Sequence, residues 1–472
     1  MRDDDDGPSF TRAFWTANLV ELLERAAWYG VYVAITLYLS RILGYSDIAA
    51  ATVSGVFSAG LYLLPTFSGA LADKIGFRRA LLLAFGLLTL GYCGMWALPR
   101  LLASAGLVTY GKEVTFTGLT ESGYRWLFIP VMLLVMVGGS FIKSVITGTV
   151  ARETTPETRA RGFSIFYAIV NIGAFAGKTV VKPLREQLGN EGLIVLNLFA
   201  ASMTLLAFLI VLLVYRSDRG EGEGKTLGDI WRALVLVLRR GRLVALILII
   251  TGFWMVQHQL YATMPKYVLR MAGEGASPSW YANVNPAVVV LTVGAVTTVM
   301  RRKTALTSMT VGMFLMPLSA FCMAAGNMID GGPILGLHAV AFMMIVGIAF
   351  QGFAESFISP RFLEYFSRQA PAGEEGLYLG FSHLHSFLAA LLGFVTSGFL
   401  LEAFCPDPRT LSPADQAQRL AALAGDGSMP AAYAHAHYIW FVFAGVAFTA
   451  AIGLIVYGRV VAWLDRQADA TR

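Results

Sequence analysis

Apolar runs of about twenty residues recur along this chain from end to end, and that recurrence constrains the fold more than any single motif. A helix rises about 1.5 Å per residue, so about twenty residues cross a hydrocarbon core about 30 Å thick. Backbone in lipid must satisfy its own hydrogen bonds, which leaves helices or closed barrels, and unbroken apolar runs of this length select helices. Of 472 residues only 14% are charged, against about 25% in ordinary soluble domains. The sequence predicts an all-α integral membrane protein with twelve transmembrane helices, at 17–39, 48–72, 80–98, 126–150, 162–182, 192–215, 243–265, 280–300, 305–326, 334–366, 376–401 and 436–461. The tenth is long for one crossing, and Pro360 is expected to kink it. "MRDDDDGPSFTR" is polar and acidic, so the first span is expected to act as the insertion signal.

Charge sorts the loops. With both termini in the cytoplasm, 22 of the 36 Lys and Arg fall inside, nine fall outside, and Arg25, Lys143, Lys178, Lys182 and Arg361 lie within spans. That asymmetry is the expected inside excess, for a multi-pass protein of the plasma membrane. The net charge of +6 reflects these loops and implies no nucleic-acid partner. Cys93, Cys322 and Cys405 are far apart and lack C-x-x-C spacing, so neither a disulfide framework nor a metal site is expected. No H-E-x-x-H or G-x-S-x-G occurs and no soluble catalytic domain is evident, so the chain is expected not to be an enzyme and to need no cofactor.

The longest cytoplasmic loop, 216–242, separates six spans from six. It defines an N-terminal bundle 1–215, a linker 216–242 whose "TLGDIWRALVLVLRR" suits an interfacial amphipathic helix, and a C-terminal bundle 243–472. The outer segment 402–435 reads as polar surface.

The first span carries an anomaly. In "ELLERAAWYG", Glu21, Glu24, Arg25 and Trp28 stand at i, i+3, i+4 and i+7, on one helix face. A charge at the bilayer centre costs about 2.5–3.5 kcal/mol on insertion scales, so this face must point into protein or a wet cavity. Opposite charges one turn apart partly neutralise each other and leave one carboxylate to exchange a proton.

Two six-helix halves joined by a linker resemble the major facilitator superfamily, with two bundles related by pseudo-two-fold symmetry and the substrate site between them. "GALADKIGFRR" is similar to that superfamily's loop signature, G-x-x-x-D-R/K-x-G-R-R, through Gly69, Asp73, Lys74, Arg78 and Arg79. The resemblance gives Asp73 and Arg78 a gating role.

The opening stretch resembles the E-x-x-E-R-F-x-Y-Y-G signature of the proton-coupled oligopeptide transporter family, with Ala26 for the Phe and Trp28 for the first Tyr. Further echoes follow in order. They are Tyr62 and Pro65 in "GLYLLPTFSGALAD", Lys143 in "GGSFIKSVI" (Ser144 standing where a Pro is common), and Phe166, Tyr167, Asn171 and Gly173 in "RGFSIFYAIVNIGAFAG". "FWMVQHQ" contributes Phe253, Trp254 and Gln259, "NVNPAVVVL" contributes Asn285 and Pro286, and "ESFISPRFLEYFSRQAP" contributes Glu355, Ser359, Pro360, Leu363, Ala370 and Pro371.

The resemblance implies a proton-coupled symporter importing di- and tripeptides by alternating access, with peptide, protons and the bilayer as partners and a monomer as the working form. Arg25 and Lys143 would face the substrate carboxylate and pair with Glu21 and Glu24. Glu355, Asn171 and Asn285 would receive the amino end, and Tyr29, Tyr62 and Tyr167 would supply hydroxyls and aromatic walls. His258 stands where the family usually has an acid, and would either keep proton sensing with inverted charge or weaken the coupling. Lys178, seven residues after Asn171, adds positive charge on nearly the same face. His383 and His385 lie early in the eleventh span, and Arg361 and Glu364 form an i, i+3 pair placed to gate the tenth. The linker is too short for an extra helix pair. A carrier of another small anion or zwitterion, such as nitrate, an amino-acid conjugate or a drug-like amphiphile, is the alternative, favoured by Trp28, Lys178 and His258.

Overall fold

The computed structural model describes residues 10–111, 114–119, 122–155, 157–216, 226–329, 333–369 and 381–470. The helices are α1 (Arg12–Arg41), α2 (Asp47–Leu63), α3 (Pro65–Ile75), α4 (Phe77–Ser104), α5 (Phe128–Arg152), α6 (Arg159–Leu188), α7 (Glu191–Leu213), α8 (Leu227–Arg239) and α9 (Gly241–Gln257). They continue as α10 (Gln259–Ala262), α11 (Met264–Ala272), α12 (Pro278–Tyr281), α13 (Val284–Met300), α14 (Ala305–Ala325), α15 (Ala339–Ser367), α16 (Leu384–Phe404), α17 (Pro413–Leu423) and α18 (Tyr438–Ala470). Extended pairing among the described residues is confined to two isolated bridges, Thr109 with Thr115 and Ile334 with Leu337.

Ten described helices are long and apolar enough to cross a membrane, and α2 with α3, bent by 47°, makes eleven as one broken span. The break falls at Pro65, which has no N–H to give and crowds the preceding turn. Ser144 Oγ donates to Pro65 O at 2.9 Å and Ser68 Oγ to Ser140 O at 2.8 Å, so α3 and α5 exchange side-chain-to-backbone bonds beside the bend. At 30 residues α1 has the length for a further span, with Glu21, Glu24 and Arg25 lowering its apolarity. The predicted all-α fold is therefore found, and a helix stands at each of the twelve expected spans.

Details differ from expectation. The seventh span, expected unbroken over 243–265, is interrupted at His258 and again at Thr263 before running on as α11. There Thr263 Oγ1 donates to Gln259 Oε1 at 2.6 Å, a side-chain bond beside the interrupted ladder. α15 passes through Pro360 to Ser367 as one element. The expected amphipathic helix forms as α8. Its first turn is closed by reciprocal bonds between Thr226 and Asp229, with Asp229 N donating to Thr226 Oγ1 at 3.2 Å and Thr226 N to Asp229 Oδ2 at 3.0 Å. Residues 217–225, 370 and 371 lie outside the described residues.

The chain divides into two compact units. Unit 1 holds residues up to Ala34, Arg41–Gly44 and Gly60–Ile230; unit 2 holds Ile35–Ser40, Tyr45–Ala59 and Trp231 onward. Within unit 1, small residues let helix backbones meet, as membrane packing favours. A side chain at Gly138 would sit 2.8 Å from Ala84 O, which locks α5 against α4.

Candidate functional site

In unit 1, α1 buries both acids of the signature: Glu21 is 2% and Glu24 3% exposed. Arg25 Nε lies 3.2 Å from Glu21 Oε1, and the same guanidinium bonds Glu24. The i, i+4 spacing makes the first pair and the adjacent residue the second, so one cation is shared by two carboxylates. Lys143 on α5 is within electrostatic reach of Glu21 and Arg25. Three of the charges that sequence reasoning grouped are thus in direct contact, and the fourth is close by.

Other expected residues of this unit are less committed. Asn171 Nδ2 donates to Tyr167 O one turn back at 2.8 Å, so its amide protons serve its own helix. Tyr167 is 51% exposed. Tyr29 carries the Lys178 ammonium 5.1 Å from its ring centre. Trp28 stacks on Tyr32 at 4.6 Å, and Tyr62 is partly buried. Arg152 Nη2 holds Asp73 Oδ1 at 3.0 Å and its guanidinium sits 3.9 Å over the Phe77 ring, while Arg78 Nη2 donates to Leu212 O at 2.7 Å. Arg152 therefore completes the loop signature, a partner the motif itself does not contain.

In unit 2, Glu355 Oε2 accepts from Gln257 Nε2 at 2.7 Å and from Asn285 Nδ2 at 3.4 Å. Sequence reasoning found Glu355 and Asn285 and missed Gln257, choosing its neighbours instead. Gln259 spans a helix seam, donating to Met255 O at 2.6 Å and Gly393 O at 3.3 Å. His258 is buried between Trp254 and Phe394 and hydrogen-bonds backbone at Ser386. His385 stacks on Trp254 at 5.5 Å, meets Phe362 edge-on at 4.9 Å, and pairs its Nδ1 with Ser386 Oγ at 2.9 Å. Arg361 Nη1 pairs with Glu364 Oε2 at 2.7 Å and caps Met300 O at 2.7 Å, and Arg368 joins Glu364 at 2.8 Å.

A second charged cluster lies in unit 2, and no motif announced it. Asp47 at the start of α2 accepts from Lys266 Nζ at 2.7 Å and takes a fork from Arg270, with Nη1 at 2.8 Å and Nη2 at 2.9 Å. Lys266 also donates to Ser40 Oγ at 2.6 Å. Arg270 Nη2 reaches Asp407 Oδ2 at 3.4 Å, and Arg409 Nη2 holds that carboxylate at 2.8 Å. From α17, Arg419 donates to the carbonyls of Arg270 and Leu269, both at 3.0 Å. The 402–435 segment, expected as plain surface, is thus tied to the end of α11. Burial alone would raise the Asp407 carboxyl. The Arg409 hydrogen bond and the charges of Arg270 and Arg409 outweigh it and hold the group below the usual carboxylate range. A depressed carboxylate stabilises above its unfolded pKa of about 4 and loses that contribution only in acid, so this contact is constant across neutral pH.

Comparison with known proteins gives the class to which this all-α fold belongs. The profile of the Major Facilitator Superfamily matches residues 18–337, and the chain belongs to that superfamily. It is 25% identical over 217 residues to dipeptide and tripeptide permease A of Proteus mirabilis, covering 44% of this chain and 40% of that one. It is 25% identical over 255 residues to the permease of the same name from Serratia proteamaculans, covering 53% and 44%. The chain spans about two fifths of the length of these curated relatives. Among solved structures, it superposes on the POT family transporter PepTSo with a TM-score of 0.68 at 18% identity, over 96% of this chain and 99% of that one. A structure concerned with substrate recognition in proton-dependent oligopeptide transporters gives 0.65 at 18%, over 95% and 100%. These are the proteins that the sequence motifs resemble, and at such identities the structural likeness speaks for the fold.

Proposed function

We propose that this chain is a proton-coupled symporter that imports di- and tripeptides by alternating access, a multi-pass carrier of the plasma membrane with both termini cytoplasmic. The observation that carries this reading is the buried acid pair Glu21 and Glu24 sharing Arg25, with Lys143 close by. Such a group has interchangeable partners. When a substrate carboxylate takes Arg25 or Lys143, a released glutamate in low dielectric favours its protonated form, which couples proton uptake to binding. The names of the permease relatives support peptide as the cargo.

The other roles follow from chemistry. Arg25 and Lys143 suit the peptide carboxylate, with Tyr29, Tyr62, Tyr167 and Asn171 as neighbouring donors, acceptors and walls. Glu355, oriented by Gln257 and Asn285, suits the amino group. His258, packed among aromatic rings, acts in proton handling where the family has an acid. Asp73 with Arg152, Arg78, and Arg361 with Glu364 act as gate contacts on the cytoplasmic side. On the opposite, outer side, Asp47 with Lys266 and Arg270 acts as a latch.

The test is uptake of radiolabelled di-alanine by purified protein in proteoliposomes, with an inward proton gradient and a negative-inside potential. Concentrative uptake that collapses with ionophore is the expected result. Absence of peptide flux in folded protein, with flux of nitrate or an acidic conjugate, would replace this reading with an anion carrier.

A further inference from the structure

In unit 2, a cavity of about 440 Å³ opens between the loop that joins α13 to α14 and the end of α15. Arg301, Arg302 and Lys303 line it from the loop, and Arg361, Glu364 and Arg368 line it from α15. The loop backbone is fixed. Met300 O accepts from Lys303 N at 2.9 Å and from Arg361 Nη2 at 2.7 Å, which closes the turn and ties it to α15. The loop side chains are not fixed in the same way. Glu364, the acid of this wall, already gives Oε2 to Arg361 and Oε1 to Arg368. Among the described residues, the side chains of Arg301, Arg302 and Lys303 make no hydrogen bond or ion pair, and all three are exposed. The two arginines of α15 differ. Arg361 is 14% exposed and is held by Glu364 and Met300 O, whereas Arg368 is 74% exposed and keeps donors of its planar fork for a further partner. Adjacent like charges repel, so a run of three cations on a fixed turn is stabilised by an anion that the described wall does not supply.

The level of the cavity indicates where that anion comes from. Pro278–Met300 and Ala305–Ala325 are both long and apolar enough to cross a membrane, and only residues 301–304 separate them. So short a loop stays at the edge of the hydrocarbon, at the depth of lipid headgroups. Ala305 and Leu306 also line the cavity, so it pairs a cationic rim with apolar surface. Basic pockets between membrane helices suit phosphorylated headgroups, and arginine forks match phosphate oxygens two at a time. We propose that this cavity binds the headgroup of an anionic phospholipid that carries two phosphates, with Arg301, Arg302, Lys303 and Arg368 as its donors. Cations on two facing walls are more than one phosphodiester can engage, and two phosphates reach both. Each Lys or Arg at an anionic surface is worth about fivefold in binding, so the three loop cations together are worth about a hundredfold. The site is separate from the acid pair of α1 and from Glu355, and it does not depend on what the carrier transports.

The experiment is thermal unfolding of the full chain in neutral detergent, titrated with cardiolipin, phosphatidylglycerol, phosphatidylcholine or inorganic phosphate at matched phosphate concentration. A ligand of the folded state raises the midpoint with its concentration, which yields an apparent affinity. Cardiolipin is expected to stabilise most, phosphatidylglycerol less and phosphatidylcholine not at all, and high salt should weaken the effect. The triple variant R301Q/R302Q/K303Q should lose about a hundredfold in cardiolipin affinity and R368Q about fivefold, while R459Q/R466Q, neutralised on α18, should keep the native response. Absence of a cardiolipin effect on the native chain overturns the proposal. So does an equal loss in R459Q/R466Q, which would mean diffuse attraction to a basic surface, and so does equal stabilisation by inorganic phosphate, which would mean a soluble anion. Glu374 and Glu375 follow in the sequence and lie outside the described residues. If the loop cations serve the chain's own acids, the triple variant is destabilised in lipid-free detergent and cardiolipin stabilises it as it does the native chain, which also overturns the proposal. Should the triple variant not fold, R368Q alone is read the same way, with the fivefold loss as the expected result and native affinity as the overturning one.

Discussion

Two buried ionic clusters in this protein look alike and arise differently. The α1 cluster joins Glu21, Glu24 and Arg25 within five consecutive residues, and helix geometry alone brings them together. The other joins Asp47 to Lys266 and Arg270, more than two hundred positions later, and Arg270 to Asp407 beyond. The first has two acids competing for one base, an arrangement that is never fully satisfied and so can change state. The second has a forked arginine and a lysine closing on one acid, with Ser40 taking up a further donor. That cluster is saturated, and breaking it strands buried charge. Competition suits a group that must switch, and saturation suits a latch.

The comparison can be broken by substitution. Glu24→Gln removes the competition, so gradient-driven accumulation of peptide should be lost while exchange of peptide across the membrane persists. Full accumulation in that variant would make the α1 cluster a static strut. Asp47→Ala leaves Lys266 and Arg270 buried without their shared acid, and thermal unfolding should show a loss of about 3–5 kcal/mol. The double change Asp47→Leu with Lys266→Met should recover much of that loss, because apolar groups of similar size often replace a buried pair without penalty while Arg270 keeps Asp407. A double variant as unstable as the single one would mean that Arg270 depends on Asp47 alone. Asp407→Asn should cost about 1 kcal/mol, since Arg270 retains its fork to Asp47 and Asp407 lies nearer the surface. Glu364→Gln, in a partly exposed pair, should change stability by less than about 0.5 kcal/mol, so any large effect on uptake there would mark a gate rather than a support.

What could be seen in the sequence follows the same division. The apolar runs gave a helix at every expected span, because in lipid each run has only its own backbone to bond with. The α1 cluster was legible because i, i+3 and i+4 positions face one way in any helix. Gln257 was not legible, since neighbouring positions differ in direction by about 100° and the interruption at His258 decides which of Gln257, His258 and Gln259 turns to Glu355. The Asp47 cluster was invisible for another reason. On topology alone Lys266, Arg270 and Arg419 were counted as outer loop charges, and nothing local distinguishes a loop cation in water from one folded onto an acid.

The sequence by itself determined that this chain is built of helices long and apolar enough to cross a membrane, that it belongs to the Major Facilitator Superfamily, and that α1 holds acids with a shared base. Each of these depends on composition or on neighbours within one or two turns. The tertiary structure alone decided that Arg152 answers Asp73, that Gln257 orients Glu355, that Lys178 lies against Tyr29, and that Asp47, Lys266, Arg270 and Asp407 meet. Those contacts depend on which helix faces which, and that is set by close packing between segments far apart in the chain.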